Sequence, residues 1–215
     1  MIDLSFRVLG DRVPRDHGYA LYAAICQTLP QLHGAPWLGV HPLSNVFCEG
    51  DLLRLGDSAE FRVRIPAERI PEVLGLSGRS LTVAGNSLRL GVPRVHALKP
   101  AQSLDARLVA LRLTRPPRRS NHDLGRETLD MEAFERRYEA ELLRQLAALG
   151  VKGGRLSLQG RRTLCVAGRT LIGFSVRVGE LDAEGSLLLQ ETGLGGKRAM
   201  GCGLFRPTRG AVPPP

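Results

Sequence analysis

No run of this sequence stays apolar for the roughly 20 residues that a membrane-spanning helix needs. Its first seven residues lack the basic, apolar and small-residue order of a secretory signal. The expectation is a cytoplasmic protein with no membrane partner. Cysteine is scarce as well. Cys26, Cys48, Cys165 and Cys202 form no C-x-x-C pair, and none stands at zinc-ligand spacing, so they read as reduced and mostly buried thiols. No cluster of histidines and carboxylates suggests a metal centre, and neither a metal nor another cofactor is expected. Lysine is almost missing, with only Lys99, Lys152 and Lys197 among 30 basic residues, and acids number 21.

That shortage of acids leaves a formal charge of +9 and a sequence pI near 10.2, which points to a polyanionic partner. Arginine suits RNA, because its guanidinium forks onto phosphates and stacks on bases. Codon bias in a GC-rich genome is the alternative source of the arginine-to-lysine ratio, and it explains the net charge less well. The length of 215 residues and the apolar share of 43% fit one large globular domain or two small ones.

Periodicity favours two. Residues 2–8 alternate apolar and polar, as a half-buried strand does. Leu21, Tyr22, Ile25 and Leu29 then recur at helical spacing until Pro30. Residues 46–55 and 61–65 suggest a hairpin turning at Gly56-Asp57, and Pro66 opens a short helix with Ile70, Val73 and Leu74. Residues 81–83 and 88–90 close this half as strands. The second half repeats the order: a strand over 108–113, a long helix capped by Asp130 and stopped by Gly150, strands over 156–166 and 170–178, a helix over 181–190, and a last strand at Leu204-Phe205. Each half fits a split β-α-β unit. The expected fold is therefore α+β, with two tandem ferredoxin-like (RRM-like) domains over 1–98 and 103–208 and a disordered tail over 209–215. Two such sheets side by side leave a cleft, and a basic cleft suits an RNA strand.

Two basic features stand out. Residues 193–203 read Gly-Leu-Gly-Gly-Lys-Arg-Ala-Met-Gly-Cys-Gly. Glycines at 193, 195, 196, 201 and 203 permit positive φ and close backbone approach. Successive free N–H groups in such a turn make an anion-binding concavity, and Lys197 and Arg198 add charge to it. The segment is no P-loop, since Arg198 follows the lysine where Ser or Thr is required. Nor is it a dinucleotide fingerprint, since Arg198 takes the place of the third glycine. A flexible turn is the alternative. The second feature is the loop 115–126, whose Arg115, Arg118, Arg119 and Arg126 are candidates for RNA contact or a merely solvated loop.

Residues 173–178 together with 186–205, Ser-Leu-Leu-Leu-Gln-Glu-Thr-Gly-Leu-Gly-Gly-Lys-Arg-Ala-Met-Gly-Cys-Gly-Leu-Phe, closely resemble the C-terminal signature of CRISPR repeat-processing endoribonucleases. These belong to the repeat-associated mysterious protein superfamily, and the likeness is to the version in type I systems of the Myxan subtype. The resemblance implies a metal-independent endoribonuclease. Such an enzyme cuts CRISPR precursor RNA within its repeats by 2′-hydroxyl attack, leaving a 5′-hydroxyl and a 2′,3′-cyclic phosphate. It implies repeat RNA as partner, with other subunits of a type I effector complex as candidates. It implies RNA contact by the glycine-rich loop. Several relatives of this fold are non-catalytic subunits that hold guide RNA, and that is the competing function.

Metal-free cleavage needs a base for the 2′-hydroxyl, an acid for the departing oxygen and cations for the phosphorane charge. Histidine titrates in the right range. The resemblance favours His33, because many relatives carry their histidine just after the first helix in a Leu-His context, here Leu32-His33. It also places His17 where some relatives have a histidine at the helix start, as a second proton-transfer candidate. His41, His96 and His122 read as a loop anchor, a junction residue and an RNA contact. Tyr19 and Tyr22 are further candidates that also fit a helix–sheet interface, and Cys26 stands where some relatives carry a tyrosine.

Overall fold

The computed structural model describes residues 1–111, 127–210, 212 and 214, the side chains of 127–130 excepted. The loop arginines 115, 118, 119 and 126 and His122 lie outside the described residues. Alternation in residues 2–9 sends Leu4, Phe6 and Val8 to one side of strand β1 (Ile2–Leu9) and Asp3 and Ser5 to the other. Strands β2 (Arg12–Pro14), β3 (Gly39–Glu49), β4 (Leu52–Ile65), β5 (Ser80–Val83) and β6 (Asn86–Ala97) join it in one antiparallel sheet. In this sheet β1 lies between β4 and β6, while β3 flanks β4 and β5 flanks β6. Helices α1 (Gly18–Thr28) and α2 (Ile70–Leu74) cover the apolar face, and Leu21, Ile25 and Val73 pack on Phe6, Phe61 and Val63.

The second sheet holds β7 (Leu104–Val109), β8 (Arg155–Val166), β9 (Arg169–Gly179) and β10 (Arg206–Pro207) in the order β10-β7-β9-β8. Helices α3 (Glu127–Ala148) and α4 (Ala183–Thr192) lie on one side, with Tyr138, Leu142 and Leu189 against Phe174 and Val176. In both halves the first strand sits inside the sheet, β1 between β4 and β6 and β7 between β9 and β10. The chain is thus α+β with two tandem ferredoxin-like folds, joined between Ala97 and Leu104.

Several local expectations shift. The β3–β4 hairpin turns at Gly50-Asp51, where Gly50 has φ 61°, and Gly56-Asp57 runs inside β4. The register slips beside Ser44–Val46, with Asn45 at φ 56°, and Gly56 fits under that bulge, where a Cβ would meet Asn45 O and Phe47 at 3.0 Å. Helix α3 starts at Glu127, so Asp130 lies inside it and is not its cap. Asp182 does cap α4, its Oδ1 accepting from Gly185 N at 2.7 Å. Strand β7 spans 104–109 rather than 108–113, and the last strand follows Leu204-Phe205 instead of containing them. Only Cys202 is fully buried; Cys48 and Cys165 are exposed, and all four are free thiols. The Val212 carbonyl accepts a hydrogen bond from Gln102 N at 3.1 Å.

One arginine ties the halves together. Arg64, on the polar face of β4, is 1% exposed. Its Nε and Nη2 donate to the two Asp3 carboxylate oxygens at 2.8 and 3.0 Å, and its Nη1 donates at 2.7 Å to both Gln190 O and Phe205 O in the second half. The Gln190 carbonyl is one of the last in α4, and such carbonyls have no partner within their helix. Burial alone would raise the Asp3 carboxyl. The His41 and Arg64 groups facing it outweigh that and hold it well below the usual carboxylate range. Removing one member of a buried pair costs about 3–5 kcal/mol, because the other charge is left uncompensated. Arg64→Met should therefore lower the urea midpoint by an amount equivalent to about 3 kcal/mol or more. Adding Asp3→Leu should recover only part of the loss, since two carbonyls still lack a donor; full recovery would mean that the carbonyl bonds contribute nothing.

Candidate functional site

Helix α1 presents Tyr22 toward the segment that follows it. The chain leaves α1 through a 3₁₀ turn at Pro30–Leu32, and His33 caps that turn, its N–H donating to Pro30 O at 3.0 Å. Gly34 N donates to the Tyr22 hydroxyl at 2.9 Å. The imidazole of His33 lies almost parallel to the Tyr22 ring, 6.3 Å between centroids and 22° between planes. His33 is exposed. Burial pushes the Tyr22 phenol up, so it stays protonated and acts as a brace for the histidine loop.

The glycine-rich segment closes the other side of this place. Tyr22 forms a wall common to two adjoining depressions. One contains His33; the other is bounded by residues 34–36, Leu38 and residues 195–200. Close packing explains four of the five glycines, while a Cβ on Gly196 would meet nothing within 4 Å. A Cβ on Gly193 or Gly203 would stand 2.1 Å from a carbonyl oxygen of Gly203 or Leu194, and one on Gly195 would stand 2.5 Å from Ala110 O. Gly201 has φ 83° and fits against Pro42 of β3. The notch that receives the segment needs Gly18 at the start of α1, where a Cβ would lie 2.5 Å from Met200 O.

The expected row of free N–H groups is mostly occupied. Gly193 donates to Leu189 O, Leu194 to Gly203 O, Gly196 to Ala110 O and Gly203 to Leu108 O. Gly195 donates to the Gln145 side chain at 2.8 Å, while Gly201 and Cys202 bond within the turn. Arg198 is likewise committed. Its guanidinium donates to Glu191 O at 3.1 Å, to Thr192 O at 2.6 Å and to Pro36 O at 3.1 Å, tying the end of α4 to the loop after His33. Burial and the nearby Arg64 charge lower its pKa, without approaching deprotonation. The exposed tip is Gly195-Gly196-Lys197. Lys197 is in the left-handed region at φ 65°, and its ammonium makes no hydrogen bond or ion pair with a described residue.

The other histidines are placed differently. His17 is 1% exposed. Its Nδ1 bonds Pro14 O at 3.1 Å and its Nε2 accepts from Leu43 N at 3.1 Å, so the neutral ring bridges the start of α1 to β3. Burial, then the Arg107 charge, lower its pKa to about 4. His41 is buried on β3 with Nε2 3.8 Å from Asp3 Oδ1, beyond hydrogen-bond length, and burial lowers it to about 4. His96 Nε2 meets Ser5 Oγ at 2.7 Å. The structure thus places His33 in one depression and Lys197 in the adjoining one, with Tyr22 as their common wall, and His17 lines neither. Among the described residues, no three His, Cys, Asp or Glu side chains could together hold a metal ion, and no helix is long and apolar enough to cross a membrane.

Two residues that the sequence singles out take other roles here. Tyr22 braces the loop of His33, and Arg198, expected to add charge for an anion, is bonded to backbone carbonyls. Only the fold puts one beside His33 and the other on Pro36.

A sequence model described as Cas6 Crispr matches residues 2–210. The CRISPR-associated endonuclease Cas6 of Myxococcus xanthus (strain DK1622) is 39% identical over 206 residues, which cover 96% of this chain and 81% of that protein. Among solved structures, a CRISPR associated protein Cas6 aligns with a TM-score of 0.65 at 14% identity, over 96% of this chain and 99% of its own. A Cas6-related protein from Pyrococcus furiosus gives 0.64 at 16% identity, over 98% of each. A structure titled as an RAMP protein binding different RNA substrates gives 0.63 at 14%, over 99% and 100%. At these identities the solved structures show a shared fold.

His17 and His41 make a prediction about acid. Both fall from an ordinary 6.5 to about 4 on folding, so at intermediate pH the unfolded chain binds protons that the folded chain does not. Their contribution is complete above about 6.5 and is lost as the pH falls toward 4, on the order of 3 kcal/mol for each. Urea unfolding at pH 7.5 and 5.0 should show a lower midpoint at pH 5.0, and His17→Gln should reduce the difference.

Proposed function

The chain belongs to the Cas6 family of CRISPR proteins, and from that premise we propose that it is an endoribonuclease cutting CRISPR precursor RNA within its repeats. The reaction is attack of a 2′-hydroxyl on the adjacent phosphate. It yields a 2′,3′-cyclic phosphate and a 5′-hydroxyl, with no metal ion required. The relative from Myxococcus xanthus is described as a CRISPR-associated endonuclease, which supports the substrate class.

The observation that carries the reading is the exposed His33 ring, braced by Tyr22, a residue that also walls the adjoining groove bounded by the glycine-rich segment. A nitrogen of the neutral imidazole takes the proton of the 2′-hydroxyl as the oxygen attacks phosphorus. The bond from phosphorus to the 5′ oxygen breaks, and that oxygen takes up a proton. The Lys197 ammonium, with no competing partner among the described residues, offsets the charge that gathers on the phosphorane oxygens. Arg198 positions the site by holding the His33 loop through Pro36. His17 holds the first helix in place, since both of its ring nitrogens are already bonded to backbone. The rest of the RNA follows the basic surface. Arg162 pairs across from Gly173 on the hairpin β8–β9, near Arg107, and the loop arginines 115, 118, 119 and 126 remain candidates for the same contact.

Purified protein should cut a repeat RNA in the presence of EDTA, and a single 2′-deoxy substitution at the cut site should stop cleavage without affecting binding. His33→Ala should reduce single-turnover cleavage about 100-fold or more at unchanged affinity. A variant that cuts at the normal rate would remove His33 from the mechanism.

Lys197→Ala should weaken RNA binding and lower the slope of log affinity against log salt by about one. Arg198→Ala should instead lower thermal stability, with a smaller change in that slope. Identical salt slopes for wild type and Lys197→Ala would show that the ammonium does not meet a phosphate.

A further inference from the structure

Helix α1 is apolar on more than the face it buries. Leu21, Ala24 and Ile25 enter the core, while Tyr19, Ala23, Cys26 and Gln27 follow at helical spacing on a neighbouring stripe, of which Cys26 packs partly against the core. With Tyr22 and His33 they line a depression of about 390 Å³. Tyr19 is 36% exposed and Gln27 is exposed.

The chemistry of this depression is selective. Its walls are aromatic and apolar, its edge carries one carboxamide, and apart from His33 it offers no group that can become cationic. A phosphate gains little there. A flat heteroaromatic ring gains stacking on a tyrosine and two-way hydrogen bonding with an amide, which is how proteins hold unstacked bases. Tyr22 is the wall that this depression shares with the groove that carries Lys197. His33 lines the depression itself, so a strand with its phosphate at His33 brings a neighbouring base to this place.

We propose that the depression along α1 seats one unstacked nucleobase next to the scissile phosphate, its face on Tyr19 and its edge read by Gln27. The location of that base rests on the catalytic reading of His33. The seat itself contributes to the choice of cut site, because a base that stacks there fixes which phosphate reaches the imidazole.

The test reads binding and not cleavage. A repeat RNA, deoxy at the cut site so that it survives, carries 2-aminopurine walked through the repeat one position at a time. Wild type should quench the fluorescence at one position next to the cut, and Tyr19→Ala should not. Tyr19→Ala/Gln27→Ala should bind the intact RNA about tenfold more weakly than wild type, a fold-change within the usual range for one stacked base. The two proteins should bind equally an RNA that is abasic at that position. Quenching that persists in Tyr19→Ala, quenching only away from the cut, or a binding defect that remains on the abasic RNA overturns the proposal. Normal cleavage by wild type without local quenching defeats the base seat alone, and local quenching without cleavage of the cleavable RNA defeats the catalytic reading alone. Both side chains are on the surface, so the variants keep the fold, which circular dichroism checks.

Discussion

A guanidinium shut off from water holds the two halves of this molecule in one arrangement. Arg64 satisfies its charge on Asp3, within its own sheet, and spends its remaining donors on Gln190 and Phe205, which flank the glycine-rich segment on either side. An arginine buried this deeply has no other way to be satisfied, so a hinge between the sheets would expose or orphan it. The base of the segment is thereby fixed to the first sheet. Gly18 and Gly201 then let the segment settle between α1 and β3 without a side chain in the way. Arg198 makes the reciprocal connection, from the second half to Pro36 in the first.

The position of His33 follows from those two clamps. Its loop is held at Gly34 by the Tyr22 hydroxyl and at Pro36 by Arg198, while the ring stays in solvent. A group that moves protons near neutrality must avoid the burial that draws His17 and His41 down to about 4. The three histidines around α1 and β3 thus divide into two that stitch or fill the interior and one that remains available. The same division applies to the cations. Arg64 and Arg198 are structural, Arg54, Arg69, Arg144 and Arg177 are paired with carboxylates, and the Lys197 ammonium has no partner among the described residues.

Periodicity and turn residues were enough to read the order of elements twice over, because each half repeats strand, helix, two strands, helix and strand, with apolar residues at period two or near 3.6. They placed the β3–β4 turn wrongly, since Gly56-Asp57 has the composition of a turn but lies under a bulge, and only the pairing partner reveals that. Asp130 failed as a cap for a similar reason. A capping residue inside a helix looks the same in sequence as one at its end. Within the glycine-rich segment, the presence of glycines was legible but their cause was not, because the carbonyls that crowd Gly193 and Gly203 come from the opposite end of the segment folded back on itself and the one that crowds Gly195 comes from Ala110.

The sequence by itself determined the fold class, the family and the residue types available for chemistry. Those depend on local pattern and on a contiguous stretch, residues 186–205. Tertiary structure decided which of those residues are free to act. Asp3 and Arg64 occupy ordinary polar positions in alternating strands; what makes them a buried pair is a register that joins residue 3 to residue 64 and a second sheet that covers both. His17 and His33 have equal standing as imidazoles in the sequence. Burial and two backbone bonds remove the first from proton transfer, and exposure beside Tyr22 leaves the second available. Solvation and partner geometry are properties of the folded surroundings, and no residue carries them in its own name.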